Sequence, residues 1–246
     1  PGREDQTGVH ARTRFPAIPR RTRRAPLDTT EVPTDRRPRR LLAWSLVVVA
    51  ATSALMLLTE PRLGIVWDEG YTLGRETRIR LWFRALRDPR AFARTWIPPA
   101  PNTELVQPDA IPLPAPRADQ VDTLAKLFEP KVLAWFWPFA REEPHGHPPF
   151  YAILGLAGDV FAPWLPDLPR ARLGPILAYS LTCGAIFLFM ARRWGPWSGI
   201  LASGAWVFQP NLFGHAHYAA YDAPLTSLWV GAILAFAKSI EVGNER

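Results

Sequence analysis

The sequence predicts an all-α integral membrane protein with about four transmembrane helices and a large extracytoplasmic first loop carrying juxtamembrane helices. Three observations predict it. The run "LLAWSLVVVAATSALMLLT", residues 41–59, holds nineteen residues without a charge. At 1.5 Å per residue it reaches about 28 Å, enough for a hydrocarbon core of about 30 Å. Arginines crowd the chain just before it ("PRRTRRAP", "DRRPRRLL") and stop where it begins. Polar clusters then recur where later apolar segments start or finish, rather than within them.

The formal charge of +7 and the 27 prolines and 11 tryptophans set further bounds. The positive charge abuts an apolar run, and no zinc-finger, RRM or basic-zipper pattern accompanies it. It reads as a topogenic signal with attraction to anionic lipid, and nucleic acid is not an expected partner. The run starts too late and is too long for a cleaved signal peptide. Cys183 is the single cysteine, so no intrachain disulfide can form.

Residues 1–40, rich in Arg, Pro and Thr, carry too little apolar surface to offset chain entropy and are expected to be disordered. The first span, 41–59, follows, and then an outer loop over 60–172. In "TRIRLWFRALRD" the apolar residues Ile79, Trp82, Phe83 and Leu86 recur at helical spacing, flanked by Arg80, Arg84 and Arg87. That pattern predicts a helix in the membrane interface, with arginines reaching lipid phosphates; a helix packed on a protein core is the alternative. "IPPAPNTELVQPDAIPLPAPR" reads as an extended linker. Trp135 and Trp137 suit an interfacial aromatic belt. "HPPFYAILGLAGDVFAPWLP" is too short for an ordinary span and predicts a re-entrant or juxtamembrane helix. Further spans are expected at 173–191, 197–213 and 224–240, with Lys238 snorkelling outward at the end of the last.

Orientation follows from the basic residues. The arginines before Leu41 place the N-terminus in the cytoplasm, and Arg192 and Arg193 return the second span to that side. Long loops translocate largely regardless of charge, so the arginines of 60–172 do not oppose this. The expected location is an inner or plasma membrane, crossed several times. Three polar clusters then share the outer face: "WDEGY" with Asp68 and Glu69, "EEPHGHPPFY", and "NLFGHAHYAAYDAP". Each alone reads as solvated loop. Ionisable groups gathered at one membrane face instead suggest a site.

The order "WDEGY", "HPPFY", a basic-flanked span and "QPNLFGHAHYAAYDAP" resembles the N-terminal part of the GT-C glycosyltransferases, over roughly residues 41–240. The nearest likeness is to the protein O-mannosyltransferase and lipid A aminoarabinose transferase group. The resemblance implies transfer of sugar from a polyprenyl-phosphate donor to a protein or lipid acceptor on the extracytoplasmic side. It implies Asp68 as general base, with Glu69 and Asp222 completing the acidic set. It implies donor or substrate contacts at His147, with His145, His215, His217 and Tyr71 in the same group. Enzymes of this kind have many more spans and further phosphate-binding residues, so the chain is expected to be a fragment.

The chemistry asks for these residue types. A hydroxyl nucleophile needs a carboxylate within hydrogen-bond reach to take its proton. The departing lipid phosphate needs Arg, His or a metal ion to receive its charge. Attack opposite the leaving group implies inversion at the anomeric carbon. The pairs His145/His147 and His215/His217 could, with Asp68 or Asp222, hold zinc or manganese. No HExxH helix or cysteine set supports this, so phosphate binding or loop hydrogen bonding is preferred, and neither a metal residue nor a definite cofactor is assigned. A transporter or channel subunit and a non-catalytic membrane scaffold are the competing classes. The first would place charges near mid-membrane, and the second does not explain why the polar clusters converge.

Overall fold

The computed structural model describes residues 37–100, 113–138 and 149–244. Most of the expected disordered N-terminus (residues 1–36) lies outside that range, as do His145 and His147. The described residues are mostly helical, and no strand occurs among them.

The helices follow in order as α1 (Arg37–Thr59), α2 (Trp67–Arg87), α3 (Pro89–Thr95), α4 (Leu124–Leu127), α5 (Pro130–Phe136), α6 (Phe150–Gly155) and α7 (Ala157–Phe161). Then come α8 (Asp167–Trp194), α9 (Pro196–Val207), α10 (Pro210–His215) and α11 (Asp222–Asn244). Three segments are long and apolar enough to cross a membrane: Pro38–Arg62, Asp167–Trp194 and Asp222–Glu241.

Helix α8 is the centre of the bundle, touching α1, α9 and α11. Its contacts with α1 use small and weakly polar residues, which let the two helices approach closely. Ser45 Oγ donates to the Gly184 carbonyl at 2.9 Å, and Thr52 Oγ1 meets Cys183 Sγ at 3.6 Å. A Cβ added at Gly184 would lie 2.4 Å from Val49 Cγ2, so the close approach of the two helices depends on glycine there.

The expected third span, 197–213, is not one helix. Helix α9 has 12 residues, about 18 Å and too short for the bilayer core. Pro210, which has no N–H to continue the ladder, opens the separate helix α10. The Gln209 side chain caps it, accepting from Leu212 N at 2.6 Å. The chain still passes between the two ends of the bundle. Trp206 accepts from Tyr179 Oη at 2.8 Å, and beyond α10 His217 reaches Thr59 at the end of α1. Helix α11 then returns, and Glu241 ion-pairs with Arg193 at the opposite end. The bundle is therefore traversed four times, by three long helices and one broken one.

Outside the bundle, α2 differs from its expected setting. Its apolar stripe packs mainly on protein. Ile79 is buried against Tyr151 and Ala152, while Leu81, Trp82 and Leu86 cover a core of Val132, Trp135 and Phe136 from α5. Trp135 is likewise buried rather than set in an interfacial belt, with Arg78 stacked over its ring at 5.0 Å. The reason is local. Helices α4 and α5 supply enough aromatic surface to cover the stripe, and Trp82 meets Phe128 and Trp137 edge-on at 5.5 and 5.3 Å. Residues 97–100 and 113–117, at the two ends of the proline-rich stretch, have no regular structure. They lie near each other, since Trp96 Nε1 donates to the Pro116 carbonyl at 2.7 Å. Residues 149–161 form the short pair α6 and α7 on the N-terminal turns of α8. A Cβ at Gly174 or at Gly158 would sit 1.9 Å from the carbonyl oxygen of Leu154 or of Arg170.

Candidate functional site

The polar residues concentrate at one end of the bundle, where α1 ends, α2 begins, α8 starts and the α10–α11 connection passes over. Arg172 organises it. This side chain is completely buried, and all five of its N–H donors are used. Nε and Nη2 donate to the two oxygens of Glu69, each at 2.7 Å. Nη1 donates to Glu60 Oε1 at 2.8 Å and the Leu63 carbonyl at 3.1 Å, and Nη2 also reaches the Gly64 carbonyl at 2.9 Å. The planar fork of arginine suits a bidentate carboxylate. The Tyr218 ring covers the guanidinium at 5.4 Å.

Glu69 is also fully buried, and its Oε1 accepts a further bond from Ala219 N at 2.9 Å. One carboxylate thus joins α2, α8 and the α10–α11 connection. With both oxygens engaged, Glu69 is placed to position its neighbours. Asp68 lies in the same first turn of α2; its side chain lies outside the described residues.

His217 is equally enclosed. Its Nδ1 lies 2.7 Å from the Phe213 carbonyl and its Nε2 2.7 Å from Thr59 Oγ1. Nδ1 donates to the Phe213 carbonyl, since only a protonated nitrogen can bond to a carbonyl, and burial pushes the pKa of the ring down. The Thr59 hydroxyl that meets Nε2 also lies 2.9 Å from the Leu55 carbonyl and 3.1 Å from the Met56 carbonyl. His217 therefore fastens the connection to α1.

His215 and Asp222 are different. Nδ1 of His215 lies 2.9 Å from Asp222 Oδ2, with the side chains 54% and 38% exposed. A carboxylate on Nδ1 orients the ring and leaves Nε2 available, an arrangement able to move a proton or to bind an anion. Close by, Tyr151 is buried, accepts from Arg75 Nη1 at 2.5 Å and lies 6.1 Å from the Tyr221 ring. Burial raises the Tyr151 pKa, so its hydroxyl stays protonated. Tyr71, half-buried on α2, has partners of its own.

The structure thus brings together the start of α2, with Glu69, and the His215–Asp222 connection. The tyrosine that ends "HPPFY" joins them, while His145 and His147 lie outside the described residues. Among the described residues no three His, Cys, Asp or Glu side chains gather in a way that could hold a metal. Arg172 and Glu60 were not singled out in the sequence. The available signal was an arginine and a glutamate at the polar ends of two apolar runs, each of which also reads as an ordinary flanking charge.

Arg80, expected to reach lipid, is instead held by protein. It donates to Glu76 Oε1 at 2.5 Å and Asp159 Oδ2 at 2.6 Å, and Arg170 pairs with the other Asp159 oxygen at 3.1 Å. Arg84 and Arg87 are exposed. The chain matches no known family model, no curated protein and no solved structure.

Proposed function

We propose that this protein is a membrane glycosyltransferase of the GT-C kind. It moves a sugar from a polyprenyl-phosphate donor to a hydroxyl of a protein or lipid acceptor on the extracytoplasmic side, with inversion. The observation that carries the reading is the gathering at one end of the bundle. There the acid-bearing first turn of α2, the His215–Asp222 pair and Tyr151 share a rim anchored by Arg172. In this reading Asp68 takes the acceptor proton, His215–Asp222 and His147 face the donor phosphate, and Glu69 fixes the turn that carries Asp68. The N-terminus is cytoplasmic.

Charge placement weighs against the transport alternative. Among the described residues, the three long helices carry their charged side chains towards their ends, and the polar groups of their middle turns, among them Ser45, Thr52, Tyr179, Ser180, Thr182 and Cys183, are uncharged.

The test is transfer from a polyprenyl-phosphate sugar by membranes containing the protein. Asp68→Asn keeps shape and removes the base, so turnover is expected to fall about a hundredfold to ten-thousandfold while donor binding persists. Full transfer by this variant would retire the assignment. Orientation is checked separately in a Cys183→Ser background carrying a cysteine at residue 100, expected to react only with reagent added outside.

A further inference from the structure

A groove of about 950 Å³ runs between the last turns of α2 and the pair α6–α7. That is the upper end of the range of small-molecule cavities, roughly 300–1,000 Å³. Its walls are largely apolar, with Phe83, Phe150, Ile153, Leu154 and Val160 facing the space. These are not residues awaiting a place in a core: Phe83 is 43% exposed and Val160 73% exposed. The groove's charged members divide in two. Arg80 and Arg170 share Asp159, and Glu76 and Asp167 complete their pairing in a closed network. Arg84 and Arg87, one turn apart on the helix, line the same groove with no ion-pair or hydrogen-bond partner among the described residues.

We infer that this groove holds an anionic phospholipid of the bilayer, one acyl chain against Phe83, Phe150, Ile153 and Val160 and its phosphate on Arg84 and Arg87. The case is one of complementarity. A long apolar trough with two unpaired cations at its rim matches an amphiphile with one negative head, and matches neither a neutral lipid nor a free anion. Asp159, the acid that would repel a phosphate, is already paired twice. Distance separates this site from the proposed chemistry. Arg84 lies sixteen residues beyond Asp68 on the same continuous helix, about 24 Å at helical rise. A phosphate held at Arg84 and Arg87 is therefore too far away to be the group leaving at Asp68. The inference rests on the protein being in a membrane and is independent of the glycosyltransferase reading. The bound lipid would brace α6–α7 against α2, and so act on the stability of the rim that Tyr151 shares.

Native mass spectrometry of the purified full chain, with added phosphatidylglycerol or phosphatidylcholine, tests this. The parent is expected to retain one phosphatidylglycerol in clear preference to phosphatidylcholine. The double variant Arg84→Gln/Arg87→Gln should lose that retention about tenfold or more, each cation near an anionic headgroup counting comparably. Ile153→Trp, which fills the trough and leaves both arginines in place, should lose it as well. Circular dichroism confirms that each variant keeps its helices; if the double variant does not fold, Ile153→Trp decides alone. Equal retention of the two lipids, or undiminished retention in Ile153→Trp, overturns the inference. So does displacement by inorganic phosphate, which would reveal a simple anion site, or displacement by polyprenyl phosphate but not by excess phosphatidylglycerol.

Discussion

Glu69 and Glu76 stand on the same helix and, seven residues apart, on nearly the same face; both are buried. Their surroundings differ above all in the number of donors. Glu69 receives three hydrogen bonds, two of them from a guanidinium that itself has no other charge to satisfy but Glu60. Glu76 has Arg80 on one oxygen, and its Oε2 is buried without a partner, pressed against Gly155. Burial is the first cause that pushes the Glu76 pKa up to about 7, against an ordinary 4.5, with Arg80 opposing it. Depth alone does not decide the charge of a buried acid. The number and geometry of its donors do.

Breaking the well-donated acid should have the largest effect. Arg172→Met leaves Glu60 and Glu69 buried without their cation, and loss of one partner of a buried pair costs about 3–5 kcal/mol. The expected outcome, read by denaturation in detergent, is a protein that no longer unfolds cooperatively or does so far earlier. Arg172→Lys keeps the charge but cannot span both Glu69 oxygens, and should recover only part of the loss. A variant as stable as the parent would mean that the clamp contributes little beyond geometry.

The under-donated acid gives the next effect, with the opposite sign. The folded protein holds the Glu76 proton more tightly than the unfolded chain does. Stability should therefore be highest below about pH 4.5, decline as pH rises towards 7, and level off above it. The whole gap corresponds to about 3 kcal/mol. Glu76→Gln cannot ionise and should flatten this part of the profile, leaving the variant more stable than the parent at pH 8 and nearly equal to it at pH 4. A parent with constant stability from pH 4 to 8 would show that folding does not tighten the hold of Glu76 on its proton.

The smallest effect belongs to the exposed pair. Asp222→Asn removes the charge facing His215, and a solvent-exposed ion pair is worth about 0–1 kcal/mol. Thermal unfolding should hardly change. If transfer falls sharply in the same variant, the pair is retained for chemistry, and the contrast with Arg172 separates scaffold from site.

Hydropathy and charge were enough to read the outline. Apolar runs of bilayer length show in composition, so α1, α8 and α11 were legible. So was the return of "HAHYAAYDAP" to the neighbourhood of "WDEGY", because spans of fixed length bring alternate loops to one face. The division of labour within those motifs was not legible. Glu69 and Asp68 are adjacent in sequence, and only the position of Arg172, more than a hundred residues away, makes Glu69 an anchor. His215 and His217 share a motif, yet the α10 turn buries one and leaves the other half-exposed. Helix α2 shows why periodicity is incomplete evidence: it revealed the apolar stripe but could not tell whether lipid or α5 and α6 would cover it. The break at Gln209 was marked by Pro210, but a run of sufficient average hydropathy concealed it.

The sequence separation of 112 between Glu60 and Arg172 has a consequence in time. At about 5–20 residues per second, synthesis presents the first acid roughly 6–20 s before the arginine that neutralises it. During that interval neither Glu60 nor Glu69 can enter a low-dielectric setting in ionised form, so both must wait in water at the edge of the first span. Arrival of Arg172 lets them be buried together with the start of α8. Completion of the rim is thus tied to the moment when the second long helix is inserted, and a chain stalled before residue 172 would leave its proposed catalytic turn unanchored.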